Sequence, residues 1–192
     1  MKYLKYLSLL FILNSCTCKV LEFEDNETFW TDVYEKGDKL IFQSSKDTIS
    51  KDTITILDKE ITIPSGDCNP MVSLNDPEAF VVNYNYNHNG KKSDSDYFIQ
   101  HVKEEDGPSL PILRVYGTEF SGNQLKDTTI ITKKYGKLND CYTFSRKGAY
   151  NGWSEFKIKT FVWSKKLGLV VFVGLNKEKY ELCNRINKAK LK

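Results

Sequence analysis

The feature that most constrains the fold is a series of short segments rich in Val, Ile, Thr, Phe and Tyr, which alternate with clusters of Asn, Asp, Gly and Lys. β-branched and aromatic residues favour strands, and the polar clusters are typical of turns. Because the gaps are too short for the helical crossovers between parallel strands, consecutive strands are expected to pair as antiparallel hairpins. The pattern predicts strands at residues 39–44, 53–57, 79–87, 97–103, 112–120, 128–135, 141–146, 156–163, 169–174 and 179–182. We therefore predict an all-β fold, an antiparallel meander of about ten strands that forms a sandwich or an open lipocalin-like barrel, with at most short helical turns.

Several of these segments indicate how the strands are covered. Side chains alternate between the two faces of a strand. In the stretch VVNYNYNHN, one face therefore carries asparagines, and the opposite face carries Val82, Tyr84, Tyr86 and His88. By contrast, GLVVFVG at residues 168–174 is apolar on both faces, which predicts a central strand covered on both sides. In residues 156–163 the alternation changes phase after Lys159, which predicts a β-bulge or the start of double coverage.

Signals for helix are few. Asn26 is a residue type typical of an N-cap, and a short turn beginning there would place three apolar residues near the core: Phe29, Trp30 and Val33. Near the end of the chain, Leu182, Ile186 and Ala189 have roughly helical spacing, which predicts a closing amphipathic turn.

The first residues have the layout of an export signal. Lys2 and Lys5 precede an apolar run at residues 7–13, which is shorter than the roughly 20 residues that a membrane-spanning helix needs. The sequence Leu-Asn-Ser-Cys at residues 13–16 resembles the bacterial lipobox. That resemblance implies cleavage before Cys16 and attachment of lipid to its thiol, so that Cys16 anchors the protein to a membrane. The alternative is an ordinary secretory signal whose cysteines are incidental.

This interpretation divides the chain into three parts. Residues 1–15 are a lipoprotein signal peptide, residues 16–28 are the anchor cysteine and a tether, and residues 29–192 are a single β domain. Thr17, in the place where some lipoproteins have an aspartate, is similar to lipoproteins that are sent on to the outer membrane. We therefore expect a lipid-anchored protein of the cell envelope, located at the outer membrane. The domain could face either the periplasm or the outside of the cell.

Two longer stretches carry a family resemblance. EKGDKLIFQSSKDTISKDTITI at residues 35–56 and FVWSKKLGLVVF at residues 161–172 resemble small lipoproteins of Bacteroidetes and Flavobacteria. In those proteins a Gly-Asp pair opens an early strand, and a late Trp-Ser-Lys-Lys turn joins the two final strands. The resemblance implies an envelope location and no particular activity.

The remaining cysteines leave two readings open. After lipidation of Cys16, an even set remains that could form disulfides in an oxidising compartment or stay as free thiols: Cys18, Cys68, Cys141 and Cys183. Zinc sites use clustered ligands, and the sequence has neither a CxxC pair nor a histidine close to a cysteine pair. We therefore expect no metal and no other cofactor.

Charge and motifs narrow the classes of function. Without Lys2 and Lys5, 26 basic residues face 25 acidic ones, which does not suit a nucleic-acid-binding protein. No nucleophile elbow, HExxH helix, P-loop or Rossmann signature occurs, so we expect a protein without a catalytic site. A hairpin turn centred near Lys92 would place His88 opposite Asp96 and His101 opposite Asn83. His88 and Asp96 could then form an acid/base pair, but an ordinary cross-strand contact is the simpler interpretation.

The aromatic residues suggest a binding role or a packed core. Among 11 Tyr, 11 Phe and 3 Trp, five on predicted strands could line an apolar ligand site: Tyr84, Tyr86, Tyr142, Phe144 and Trp163. Aromatic residues are also enriched on strands for packing alone. Three hypotheses follow: a non-enzymatic lipoprotein with a binding or structural role, whose partner is a protein or an apolar ligand; a carrier of a lipid or small apolar ligand with a hollow half-barrel; and an envelope hydrolase with dispersed carboxylates.

Overall fold

The strands account for most of the described chain. The computed structural model describes residues 18–47, 49, 51–66, 75–88, 90–107, 109–121, 125–145 and 157–187, with the side chains of 93–96 and 125 excepted. The described residues contain one short helix, α1 (Phe29–Asp32), and thirteen strands: β1 (Lys19–Leu21), β2 (Lys39–Ser44), β3 (Lys51–Thr62), β4 (Asn75–Pro77), β5 (Ala79–His88), β6 (Lys91–Val102), β7 (Ile112–Val115), β8 (Thr118–Ser121), β9 (Leu125–Thr132), β10 (Gly136–Ser145), β11 (Ile158–Ser164), β12 (Gly168–Gly174) and β13 (Lys179–Ile186).

Eleven of the strands form one antiparallel sheet in the order β8-β7-β6-β5-β3-β2-β13-β12-β11-β10-β9. Only β1 and β4 stand apart, as a parallel pair in which Lys19 lies opposite Asn75. The fold is thus an all-β, open lipocalin-like barrel, as the strand pattern predicts.

Ring contacts show how strongly the sheet curls. β6 and β11 are six strand spacings apart in the sheet, about 29 Å if it were flat. Yet the ring centroids of Phe98 on β6 and Trp163 on β11 are 5.8 Å apart. At the edge, Phe120 on β8 lies 4.7 Å from Phe161 on β11, and the Ile158 amide donates a 3.3 Å hydrogen bond to Thr118 Oγ1. The sheet therefore bends until its two halves face each other across the core.

The segment with α1 packs inside this curve. Trp30 is 3% exposed, and its ring centroid lies 5.9 Å from that of Phe144 and 5.9 Å from that of Trp163. Tyr34 is fully buried between Phe98 at 5.4 Å and Trp163 at 5.5 Å. The predicted burial of this turn is confirmed, with Thr28 rather than Asn26 at the N-cap.

A buried ion pair fixes the same segment to the sheet. Asp38 is completely buried, and Arg185 on β13 donates a 2.6 Å hydrogen bond to its Oδ2 atom. Arg185 also donates to the Val33 carbonyl, and its guanidinium lies 5.3 Å from the centroid of the Tyr34 ring. Arg185 therefore connects the last strand to the helical turn that fills the barrel.

Two local predictions are corrected by the structure. The single strand predicted at residues 112–120 is a hairpin, β7 and β8, whose two-residue turn has φ of 49° at Tyr116 and 71° at Gly117. A tyrosine is uncommon in that conformation, which is why the sequence reads as continuous strand. The closing helical turn is also wrong, because Leu182 and Ile186 belong to β13, which pairs with β2, while Ala189 lies outside the described residues.

Two predictions about coverage are confirmed. Register shifts interrupt the pairing of β11 with β12, next to Thr160 and Trp163, where the sequence changes phase. β12 is buried at every position except Val173. The tip of the β9–β10 hairpin reaches β13, three strands away from β10, where Lys134 Nζ donates a 2.9 Å hydrogen bond to Asn184.

Candidate functional site

The five aromatic residues considered as a ligand lining lie in the packed interior or at its border. Tyr84, Phe144 and Trp163 are at most 1% exposed, and the Phe144 ring stacks on Phe161 with 4.5 Å between centroids. Tyr142 is half-buried, with its centroid 5.3 Å from that of Trp30. Tyr86 is half-buried and lies 4.6 Å from Tyr116. In the described part of the chain, these rings contact other aromatic rings and fill the concave side of the sheet.

The two histidines are not placed as the predicted turn required. β5 pairs with β6 so that His88 lies opposite Lys91 and Phe80 opposite His101, and the two strands are therefore only two residues apart along the chain. The pairing of His88 with Asp96, and that of His101 with Asn83, is therefore wrong. Gly90 has a φ of 80°, and a glycine at that position permits the tighter two-residue turn that shifts the register.

His88 instead contacts a buried carboxylate on β3. Its Nδ1 atom lies 2.5 Å from Asp52 Oδ2, and the Asp52 side chain is 1% exposed against 13% for His88. The imidazole ring also lies 5.6 Å from the ring of Tyr116 and 5.7 Å from that of Tyr180. Burial and the nearby Asp52 carboxylate raise the pKa of Tyr116 well above its usual value, so its hydroxyl stays protonated. The His88–Asp52 pair therefore joins β3 to β5 next to the rings of Tyr116 and Tyr180.

His101 is part of the packed core of the domain. Its ring is fully buried 4.3 Å from the Phe23 centroid, and Nε2 lies 2.9 Å from the Ser109 carbonyl oxygen. Burial lowers the pKa of this imidazole, although the Ser109 carbonyl opposes the shift. A neutral ring that donates from Nε2 satisfies the carbonyl. Among the described residues, no group of three or more His, Cys, Asp and Glu side chains could hold a metal ion.

The cysteines differ in their state. Cys18 is disulfide-bonded, whereas Cys141 and Cys183 carry free thiols. Cys141 is buried, and burial raises the pKa of its thiol to about 11, which keeps it protonated and unreactive. Cys183 is half-buried at a bulge between Leu182 and Asn184. Cys16 and Cys68 lie outside the described residues.

A polar cleft of about 410 Å³ lies on the outer face of the sheet, across β2, β3, β5 and β6. This volume is within the range of roughly 300–1,000 Å³ that small-molecule sites occupy. The cleft is lined by Lys39, Thr53, Thr55, Asn85, Tyr86, Asn87 and Lys92. The ring of Tyr86 packs inward on Tyr84 and Tyr116. The side chains that line the cleft therefore carry hydroxyl, amide and ammonium groups.

The strand register arranges these side chains in two rows. In the first row, Thr55 lies opposite both Lys39 and Asn85. In the second row, Asn87 lies opposite both Thr53 and Lys92. The rows are two residues apart along the strands, about 7 Å. Together they extend from β2 to β6, three strand spacings or about 14 Å. The two lysines therefore stand at opposite corners of a polar platform.

The charge of this platform is positive. Both lysines are exposed, and the threonines and asparagines between them are half-buried. The carboxylate nearest to the platform along β3, that of Asp52, is buried on the opposite face and contacts His88, and Asp58 lies 3.4 Å from Lys36 Nζ. Hydroxyl and amide groups both donate and accept hydrogen bonds, and ammonium groups attract anions. The arrangement can hold a hydroxyl-rich ligand that carries negative charge.

The sequence contains only part of the signal for this cleft. The alternation in VVNYNYNHN places Asn85 and Asn87 on the solvent-facing side of the strand, but their neighbours depend on the pairing with β3 and β6.

Comparison of the chain with protein-family models, with curated proteins and with solved structures finds no match. In the described residues, no helix is both long and apolar enough to span a bilayer.

Proposed function

We propose that this chain is a lipid-anchored protein of the bacterial cell envelope that binds an acidic oligosaccharide in the polar cleft on the outer face of its half-barrel. The all-β half-barrel is compatible with a binding role. The observation that carries the proposal is the pair of rows Lys39–Thr55–Asn85 and Thr53–Asn87–Lys92. A sugar ring presents closely spaced hydroxyls, which the threonines and asparagines can match, and carboxylate or phosphate substituents can reach the lysines at the corners.

The packed interior favours this proposal over that of a lipid carrier. A carrier needs space on the concave side of the sheet, whereas Trp30, Tyr34 and Trp163 there are at most 3% exposed, and the Trp163 ring contacts the other two. Placing an acyl chain among these rings would separate contacts that stabilise the core. We therefore assign the binding role to the outer face and propose no catalytic role for His88 and Asp52, whose contacts join two strands.

The anchor remains part of the proposal through Cys16. The first strand begins at Lys19, so a lipidated Cys16 would hold the domain close to the membrane surface. Mass spectrometry of the mature protein from its native membrane should show a Cys16 amino terminus carrying diacylglycerol. A Cys16→Ser chain should leave the membrane fraction. An unmodified Cys16, or a Cys16→Ser chain that still partitions with membranes, would contradict the anchor.

Ligand binding is tested by titration calorimetry with a tetramer of galacturonic acid and with neutral maltotetraose. We expect the acidic tetramer to bind, and added salt to weaken its binding because the lysines are exposed to solvent. The double variant Lys39→Ala/Lys92→Ala should lose about tenfold in affinity, since an exposed charge contact contributes up to about 1 kcal/mol. Lys137→Ala removes an exposed lysine outside the cleft and serves as the control. The proposal fails if neither tetramer binds, or if the control weakens binding as much as the double variant.

A further inference from the structure

A second cleft lies where the tip of the β9–β10 hairpin reaches the outer face of β2 and β13. Its volume is about 160 Å³, and its lining comes from three elements: Gln43, Ser44 and Ser45 at the end of β2, Lys133 and Lys134 in the hairpin turn, and Lys179, Glu181, Leu182 and Cys183 on β13. It shares none of its lining residues with the polar cleft on β3 and β5. Binding there would therefore be independent of the proposed oligosaccharide site.

Hydrogen bonds hold the walls of this cleft in place. In the hairpin turn, the Tyr135 amide donates to Thr132 Oγ1 at 3.0 Å, and Lys134 Nζ donates to Asn184 Oδ1 at 2.9 Å. On the other side, the Ser45 amide donates to the Lys179 carbonyl at 2.8 Å. These hydrogen bonds fix the hairpin tip to β13 and the end of β2 to the start of β13.

The lining combines an apolar interior with a positive rim. Leu182, the thiol of Cys183 and the aliphatic stems of the lysines provide apolar surface, and the lysines also bring positive charge to the cleft. Lys179 Nζ lies 2.5 Å from Glu181 Oε1, so this pair is neutral and the charges of Lys133 and Lys134 remain. An anion that enters the cleft would meet two uncompensated ammonium groups.

Size limits what can enter. An apolar cavity of about 150 Å³ is large enough for one benzene molecule. The cleft of about 160 Å³ is therefore large enough for a single ring and too small for an acyl chain or an oligosaccharide. We propose that this cleft binds a small aromatic carboxylate, with its ring against Cys183 and the lysine stems and its carboxylate at the ammonium groups of Lys133 and Lys134.

The free thiol of Cys183 provides a direct test, because a ligand in the cleft should shield it. Alkylation of the native protein with iodoacetamide is followed over time by mass spectrometry of tryptic peptides. Cys183 falls in the peptide 180–185 and Cys141 in the peptide 138–146. Benzoate should slow alkylation of Cys183 at least severalfold and saturably, whereas Cys141, which is buried, should stay unreactive throughout.

Two further probes and two variants separate the parts of the inference. Benzyl alcohol has the ring without the charge, and inorganic phosphate has the charge without the ring, so both should protect Cys183 much less than benzoate. Lys133→Ala, which keeps the Lys134–Asn184 hydrogen bond of the hairpin tip, should lose most of the protection by benzoate, while Lys137→Ala should keep it. The inference is overturned if benzoate leaves the alkylation rate of Cys183 unchanged, if phosphate protects as well as benzoate, or if Lys133→Ala keeps full protection.

Discussion

The contact between Gly168 and Tyr34 makes a sharp prediction about stability. Gly168 begins β12 with a φ of 74°, and a Cβ atom added there would overlap the hydroxyl of the fully buried Tyr34. That hydroxyl accepts a 2.8 Å hydrogen bond from the Leu169 amide. In Gly168→Ala, the left-handed conformation costs about 1–2 kcal/mol, overpacking about 1–3 kcal/mol and an unsatisfied Leu169 amide about 1–3 kcal/mol. Together these give an expected loss of about 3–8 kcal/mol, a large part of the roughly 5–15 kcal/mol by which domains are stable.

Gly136→Ala is the matched control for this prediction. Gly136 also has a positive φ, of 67°, but no heavy atom lies within 4 Å of an added Cβ. It should cost only the conformational part, about 1–2 kcal/mol. Urea denaturation followed by tryptophan fluorescence gives both values, since Trp30 and Trp163 are buried in the core. Equal losses for the two variants would refute the argument that the Tyr34 ring leaves no room at Gly168.

Two ion pairs give further predictions. Arg185→Met leaves the buried carboxylate of Asp38 without its partner and should cost about 3–5 kcal/mol in urea denaturation, while a smaller loss in the double variant with Asp38→Leu would identify the unpaired charge as the cause. Burial of the Glu27 carboxyl opposes its ionisation, but hydrogen bonds from Lys103 and from two backbone amides outweigh burial and lower its pKa from 4.5 to about 2. Because the folded pKa is the lower one, Glu27 contributes stability above pH 4.5 that is lost as the pH falls toward 2; Glu27→Gln should flatten the pH dependence of unfolding in that window, and an unchanged profile would contradict it.

The coverage of individual strands could be predicted because it depends on local periodicity. The buried positions of β5 include Val82 and Tyr84, as the alternation in VVNYNYNHN requires. Likewise, the apolar run at residues 168–174 is the strand covered on both faces. Each of these results follows from side-chain alternation within one segment, so no information about distant segments is needed.

Register and long-range contacts could not be predicted in the same way. The position of His88 opposite Lys91 rather than Asp96 depends on a turn of two residues, and a change in turn length moves every pair in the hairpin. Its contact with Asp52 on β3 depends in addition on which strand pairs with β5. The two rows of the polar cleft likewise depend on strand register. Lys39 and Lys92 belong to one platform only because β2, β3, β5 and β6 pair in this alignment.

The all-β class, the antiparallel hairpins between most neighbouring segments and the faces of the strands could be predicted from the amino-acid sequence, because these follow from residue type and a period of two. The curl of the sheet, which brings the ring centroids of Phe98 and Trp163 to 5.8 Å, and the packing of Tyr34 and Trp30 inside it depend on the three-dimensional arrangement of the strands. The same arrangement places the outward polar groups of different strands next to one another. Those outcomes depend on contacts between residues far apart in the chain, and no local pattern encodes such contacts.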